Sequence, residues 1–291
     1  MNQAAGLEFG ALFGPIMLLA WRFTAAALLW MLLFPAARRG WTWMSMWRSA
    51  MLGLLLWAGS TVQMLGLDRT SEAVSAFLTS LSVVFVPLMM ALGLRRPPPA
   101  VFWMPVSIAT IGIWLMTGAA PTGFGSGEIL GVGCAVIFSA HIIALGEVVR
   151  RDSPWRLAAG QFFVVGGTSA LSSLCVGGDL KSLALLLQWA ILTSAGLWLN
   201  VVLLVIFSTM AAYGLMFHFQ PRIDPTRAAL IYLAEPIFAA LFAYVVMGRV
   251  VSAVATLGAG LILLANVFAE LLEWRHRRQA LAATITAKAM S

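Results

Sequence analysis

The sequence predicts an all-α polytopic membrane bundle of two inverted-topology repeats, and three observations carry that prediction. Apolar residues make up 61% of the 291 residues and charged residues 10%, against roughly 25% charged in ordinary soluble domains. The apolar residues recur in membrane-length runs along the whole chain rather than in one tail. The stretch Asp68 to Arg96 returns without a gap, 153 residues later, as Pro221 to Arg249.

Five positions of the two copies are identical in kind: Arg69 falls on Arg222, Ala76 on Ala229, Phe85 on Phe238, Leu88 on Leu241 and Arg96 on Arg249. The shared plan carries more weight than these identities. Each copy has a short polar loop with arginine, an apolar run of about 20 residues and a closing arginine, and a helix of that length crosses a bilayer core of about 30 Å.

Apolar runs between charged or Gly/Pro-rich breaks predict spans over 12–35, 48–67, 73–94, 101–118, 128–149, 156–177, 199–219, 226–247 and 252–272. The apolar segment Leu183 to Leu197 follows Lys181 and reads as an interfacial or re-entrant helix, with a tenth span as the alternative. Moving the second half back by 153 residues superposes 199–219 on 46–66 and 252–272 on 99–119. The partner of 128–149 would lie before Met1, so the first half is expected to lack its opening helix. Either the protein has nine spans, or the chain starts inside a longer reading frame; the five-plus-five duplication favours the second. The domains expected are a first repeat at 1–120, a second at 121–273 and a basic tail at 274–291.

The basic residues orient the spans. Alternate loops and the tail hold Arg38, Arg39, Arg48, Arg95, Arg96, Arg150, Arg151, Arg156, Arg222, Arg227, Arg275, Arg277, Arg278 and Lys288, whereas the opposite loops hold Arg69, Lys181 and Arg249. Fourteen against three is a positive-inside asymmetry that places the carboxyl terminus in the cytoplasm of a cell (inner) membrane protein. Five helices per repeat is an odd number, so equivalent helices run in opposite directions.

The same pattern excludes other classes. The net charge of +7 lies in short loops between spans, where it sets orientation, so nucleic acid is not an expected partner. Cys134 and Cys175 both fall inside apolar runs, and neither a disulfide framework nor a metal site is expected. No phosphate-binding Gly-rich loop with a lysine appears, so no ATPase domain and no cofactor are expected.

Several stretches resemble the ten-helix EamA branch of the drug/metabolite transporter superfamily. They are Trp21 to Leu28 (WRFTAAAL), Ala76 to Pro87 (AFLTSLSVVFVP), Ser139 to Gly146 (SAHIIALG) and, most clearly, Pro225 to Ala243 (PTRAALIYLAEPIFAALFA). The resemblance implies two inverted five-helix bundles around a central cavity and movement of metabolites by alternating access. After the ninth helix the family pattern runs Gly-Glu-Arg; here it reads Gly248-Arg249-Val250, without the acidic residue.

Polar residues inside lipid cost several kcal/mol when unpaired, so they should face protein or water. Ala228, Tyr232, Glu235 and Ala239 share one helix face, and their repeat partners Ser75, Thr79, Ser82 and Val86 share another. Equivalent small and polar stripes suit a substrate site, although backbone bonding and close helix packing would also account for them. Glu235 is the one carboxylate placed well inside a span; it suits a proton carrier, a ligand for a substrate ammonium, or an ion pair with Arg22. Arg22 suits a substrate carboxylate or snorkels to the interface. His141 and Gln161 complete the candidate set, as packing residues or ligands. Trp21, Trp57, Phe162 and Tyr213 are aromatics that would line a cavity or face lipid. Pro87 and Pro236 interrupt the third and eighth spans, at positions that are not repeat equivalents.

The reading is a secondary active transporter, an exporter of a small amphipathic metabolite such as an amino acid, and no enzyme. A non-transporting scaffold or receptor is the alternative, and a membrane-embedded transferase a more distant one. Partners expected are the substrate, the lipid bilayer and protons as coupling ion, with a monomer favoured over an oligomer.

Overall fold

The computed structural model describes residues 2–118, 125–175, 199, 201–248 and 252–289. The expected helix at Leu183 to Leu197 lies outside them. All regular structure among the described residues is helical: α1 (Asn2–Leu33), α2 (Pro35–Arg38), α3 (Trp43–Leu67), α4 (Glu72–Ser80), α5 (Ser82–Leu92), α6 (Trp103–Thr117), α7 (Ser126–Val149), α8 (Pro154–Cys175), a π-helical segment (Leu204–Ala211), α9 (Ala212–Phe219), α10 (Pro225–Tyr232), α11 (Ala234–Met247) and α12 (Ala253–Ala289).

Eight segments among the described residues are long and apolar enough to cross a membrane. Large apolar side chains such as Leu32, Phe207, Phe238, Val245 and Leu264 are exposed, as a lipid-facing surface requires and water would not tolerate. The expected span at 156–177 forms α8 but is not among the eight. Leu157, Ala158, Ala159, Gln161, Phe162, Val165 and Ser169 of α8 are buried, and a helix screened from lipid by its neighbours can carry more glycine and hydroxyl. α12 has 37 residues, about 55 Å at 1.5 Å per residue, so the basic tail continues the last span as helix beyond a bilayer core.

The chain divides into two compact units, Met1–Met64 with Ala144–Ile223 and Leu65–Ile143 with Asp224–Ser291. Each draws helices from both halves of the sequence. In the first unit α1 packs on α8, and their backbones meet at Gly166, where a Cβ would stand 2.4 Å from Thr24 Oγ1 and 2.9 Å from Thr24 N. At the basic end of this unit Asp152, 4% exposed, accepts from Arg48 Nη1 at 3.2 Å and Arg156 Nη2 at 2.7 Å. Arg48 also donates to the Arg151 carbonyl and Arg156 to that of Arg39. Burial alone would raise the Asp152 pKa, but hydrogen bonds from Arg156, from the Ser153 amide and from Arg48 outweigh it and hold the carboxyl below its ordinary range.

In the second unit α6 packs on α12. A Cβ at Gly258 would lie 2.4 Å from the Gly112 carbonyl oxygen and 2.5 Å from Met116 N. Around this crossing sit Phe102, Val106, Ala109, Ile113, Ile262, Ala265 and Ala269, joined by Val83 of α5, Leu230 of α10 and Leu233. Small residues that let backbones touch hold membrane helices together through dispersion rather than the hydrophobic effect.

The duplication persists in backbone detail. Ser71 and Asp224 are repeat equivalents and both cap a helix, Ser71 accepting from Val74 N and Asp224 from Thr226 N. Arg95 and Gly248 are also equivalents and share a left-handed backbone, with φ 51° and 65°. Arginine tolerates this conformation poorly and glycine freely, yet both copies close their broken helix with it.

The third and eighth spans are each split, at Leu81 and Leu233, within one residue of repeat equivalence. Both breaks tighten to i−3 bonds, Leu81 N to Leu78 O and Leu233 N to Leu230 O, each 3.1 Å. Pro236 explains the second: its ring would strike the Tyr232 carbonyl of a continuous helix, and it sits instead in the first turn of α11. Pro87 does not explain the first, because it lies inside α5. There Ser80 Oγ donates to the Ala76 carbonyl at 2.7 Å, a back-bond that bends helices. The interruption expected at Pro87 therefore falls six residues earlier, and the paired breaks are nearly symmetric although the prolines are not.

Gly258→Ala forces a methyl group into peptide atoms that cannot yield, and thermal unfolding in detergent should register a loss of about 1–3 kcal/mol. Gly260→Ala, whose Cβ meets nothing within 4 Å, should be neutral in the same assay. Asp152→Asn should lower stability at neutral pH by about 1–3 kcal/mol. Because the folded carboxyl is depressed, its contribution is complete above the unfolded value of about 3.9 and is lost as pH falls through the lower folded value. The unsubstituted protein should accordingly converge on the Asp152→Asn melting temperature in strong acid and not at alkaline pH.

Candidate functional site

The polar residues expected from the sequence fall into both units. Ser75, Thr79, Ser82, His141, Tyr232 and Glu235 lie in the second, Arg22 and Gln161 in the first. Thr79 and Ser82 flank the break at Leu81, and their partners Tyr232 and Glu235 flank the break at Leu233. In such interruptions peptide groups leave the helical ladder, and polar side chains placed beside them add donors and acceptors at membrane depth.

Ser75 is buried, with α7 close by: a Cβ at Gly131 would stand 2.8 Å from Leu78 Cδ1 of α4. Thr79 Oγ1 lies 3.9 Å from Cys134 Sγ. Ser139 Oγ donates to the Ala135 carbonyl at 2.7 Å and approaches the Ser82 carbonyl at 3.5 Å. His141 is buried at 2% exposure. Tyr232 is half-buried and Glu235 exposed. α10 packs on α5, with Thr226 Oγ1 3.8 Å from Met90 Sδ.

Arg227, counted among the loop arginines by its sequence position, is buried in α10 and paired with Glu270 of α12. The signal available was its place three residues inside the cap Asp224, which puts it in the helix rather than the loop. An apolar run that opens on Pro225-Thr226 gives no further hint of burial.

In the first unit Arg22 meets the π-helical segment. Its Nε donates to Thr209 Oγ1 at 2.6 Å and its Nη2 to the Ser208 carbonyl at 2.7 Å. Thr209 is fully buried, and its hydroxyl passes a bond on to the Leu204 carbonyl at 3.1 Å, five residues back. A π turn widens the helix and displaces carbonyls from their usual partners, and such turns gather at functional sites. The distorted helix thus holds the guanidinium on its own hydroxyl and carbonyl. Neither Ser208 nor Thr209 was a candidate from sequence; a hydroxyl pair in the middle of an apolar run was the signal.

An aromatic column continues from this point. Phe23, Phe162 and Tyr213 form a triangle with centroids 5.8 to 5.9 Å apart, and Trp30 extends it from Phe162 to Trp155 and Phe34. Trp30 Nε1 donates to the Trp155 carbonyl at 3.0 Å. Gln161, next to Phe162 in α8, is fully buried, so both first-unit candidates adjoin the column through their neighbours. Of the expected cavity aromatics, Phe162 and Tyr213 belong to this column.

Membrane-length helices, two of them split within one residue of repeat equivalence, make a polytopic helical bundle with a feature of transporter folds. The model of the EamA-like transporter family matches residues 125–269. That stretch is an EamA-like transporter domain, of the drug/metabolite transporter superfamily, and the chain is a membrane transporter. Two relatives from Archaeoglobus fulgidus, each named an uncharacterized transporter, are similar to it. One is 28% identical over 226 residues, 76% of this chain and 67% of the relative. The other is 27% identical over 232 residues, 78% of this chain and 76% of the relative. A protein crystal structure, 20% identical, matches 93% of this chain and 92% of its own with a TM-score of 0.72, which shows the shared fold.

Thr209→Val removes both the acceptor for Arg22 and the bond to Leu204. Leaving a half-buried guanidinium one partner short should cost about 1–3 kcal/mol, read as a lower melting temperature, whereas Thr209→Ser should retain most of the stability.

Proposed function

We propose that the chain is a secondary active transporter that exports a small amphipathic metabolite such as an amino acid by alternating access, with protons as the coupling ion. The observation that supports this reading most directly is the pair of split helices, each flanked by a repeat-related polar pair, Thr79 with Ser82 and Tyr232 with Glu235. Discontinuous helices at equivalent places in inverted repeats are where transporters bind substrate and ions. Ser75, Thr79, Ser82, Tyr232, Glu235, Arg22, His141 and Gln161 are the proposed binding residues. Glu235 supplies a charge for a substrate ammonium or carries the proton, and Arg22 addresses a carboxylate. The asymmetry of basic residues supports a cytoplasmic carboxyl terminus in a cell inner membrane.

Counterflow into proteoliposomes, with a panel of amino acids and small organic cations, tests the reading. The unsubstituted chain should accumulate at least one labelled member, and where Glu235 binds the substrate ammonium Glu235→Gln should cut that counterflow at least ten-fold, an effect of about 1.4 kcal/mol or more on the rate-limiting barrier. If Glu235 is the proton carrier, exchange of substrate for substrate should survive the change while gradient-driven uptake fails. Undiminished gradient-driven flux in Glu235→Gln removes Glu235 from the mechanism, and no flux of any panel member favours the scaffold reading.

A further inference from the structure

At the basic end of the first unit the aromatic column opens into a groove that the transport residues do not use. It encloses about 380 Å3 and is lined by Trp30, Phe34, Trp155, Met210, Leu215 and Phe217, with His218 and Phe219 beside them. Its floor is backbone: a Cβ at Gly214 would stand 2.9 Å from the Trp30 ring, so the indole rests directly on α9. The volume is that of a small-ligand site, but the walls are almost wholly apolar and offer one polar side chain, His218.

The charge gathers at the rim. Arg222 Nη2 lies 3.0 Å from His218 Nε2, and the Arg222 guanidinium carbon stands 5.6 Å from the centre of the Phe219 ring. Arg150 donates from Nε to the carbonyl of Pro221, the residue before Arg222, at 3.1 Å. Among the described residues no protein acceptor meets its two Nη groups. Both arginines are exposed. The carboxylates nearest in sequence are engaged elsewhere, Asp152 with Arg48 and Arg156, Glu147 with Arg151, and Asp224 in capping Thr226 N. Arg150 follows the last residue of α7, and Arg222 follows α9 by three residues, so the rim stands where helices leave the membrane and lipid headgroups begin.

We propose that this groove is a binding site for an anionic phospholipid, one acyl chain lying along Trp30, Phe34, Trp155 and Leu215 with the headgroup phosphate on Arg150 and Arg222. An apolar slot without hydrogen-bonding partners suits a hydrocarbon chain and not a polar metabolite. Guanidinium groups with open N–H pairs grip a phosphodiester bidentately. A zwitterionic choline head would bring its cation toward the same two arginines, whereas a glycerol head would not. The proposal rests on the membrane-spanning architecture alone and is independent of substrate, direction and coupling ion.

Purified full-length protein in detergent would be examined by native mass spectrometry and thermal unfolding with phosphatidylglycerol, phosphatidylcholine or inorganic phosphate added. The expected result is one retained phosphatidylglycerol with a preference over phosphatidylcholine on the order of ten-fold, given roughly 1 kcal/mol per arginine near a lipid surface. Inorganic phosphate should leave the melting temperature unchanged. Arg150→Gln with Arg222→Gln should erase the preference, and Ala211→Phe, which fills the groove from its exposed wall, should reduce retention of both lipids. Equal retention of the two lipids by the unsubstituted protein overturns the proposal, as does retention that neither variant alters. Stabilisation by inorganic phosphate equal to that by phosphatidylglycerol would reduce the site to an anion site and overturn the acyl-chain assignment. If a variant does not fold, competition between the two lipids on the unsubstituted protein still decides.

Discussion

A peptide group that leaves the helical ladder inside hydrocarbon must find another partner or cost several kcal/mol. This constraint governs three places, among the described residues, where a membrane-length segment departs from regular α-helix. At Leu81 and Leu233 the chain answers it by tightening to i−3 bonds, and at Leu204–Ala211 by widening into a π segment. The last solution needs help from outside the helix. Arg22 supplies it by donating to the Ser208 carbonyl, while Thr209 takes a second bond from the guanidinium and hands its own proton to Leu204. A charge that would be expensive alone and a distortion that would be expensive alone stabilise one another.

The class of fold was legible in the sequence because membrane solvation is written in composition. Runs of about 20 apolar residues bounded by arginine have few alternatives, and the spans at 48–67, 101–118 and 128–149 agree with α3, α6 and α7 to within a few residues. α8 was legible for a different reason. Its glycines and hydroxyls weaken the hydropathy signal, yet the boundary arginine at Arg156 and the length of the run still marked it. What the sequence could not display is which face of a helix meets protein, so the burial of Arg227 and its pairing with Glu270 were out of reach.

The polar residues of the candidate site were legible in part. Thr79, Ser82, Tyr232 and Glu235 were identified by repeat equivalence, and the structure places each pair astride a helix break. The breaks themselves were attributed to proline, the most visible breaker, and that choice was right at Pro236 and wrong at Pro87. A proline disturbs a helix through the carbonyl four residues earlier, which for Pro87 is Val83, already beyond the break. The bend at Leu81 has a quieter agent in the Ser80 back-bond to Ala76, and serine in a helix gives no comparable sequence signal because it tolerates both bonded and unbonded states.

The equivalence of Arg95 and Gly248 shows how the duplication is retained. Residue identity between the copies is low, yet the caps at Ser71 and Asp224, the breaks and the left-handed closing residues recur at matching positions. Side chains on a lipid-facing or packed surface can exchange among apolar types at little cost, so identity decays there. Backbone turns at the ends of a membrane helix have few solutions, because the last carbonyls must be satisfied within a short stretch before the next span begins. The turn therefore outlasts the residue best suited to it. Arg95 keeps a conformation that costs about 1–2 kcal/mol for a non-glycine residue, since relaxing it would redirect the chain that leads into α6.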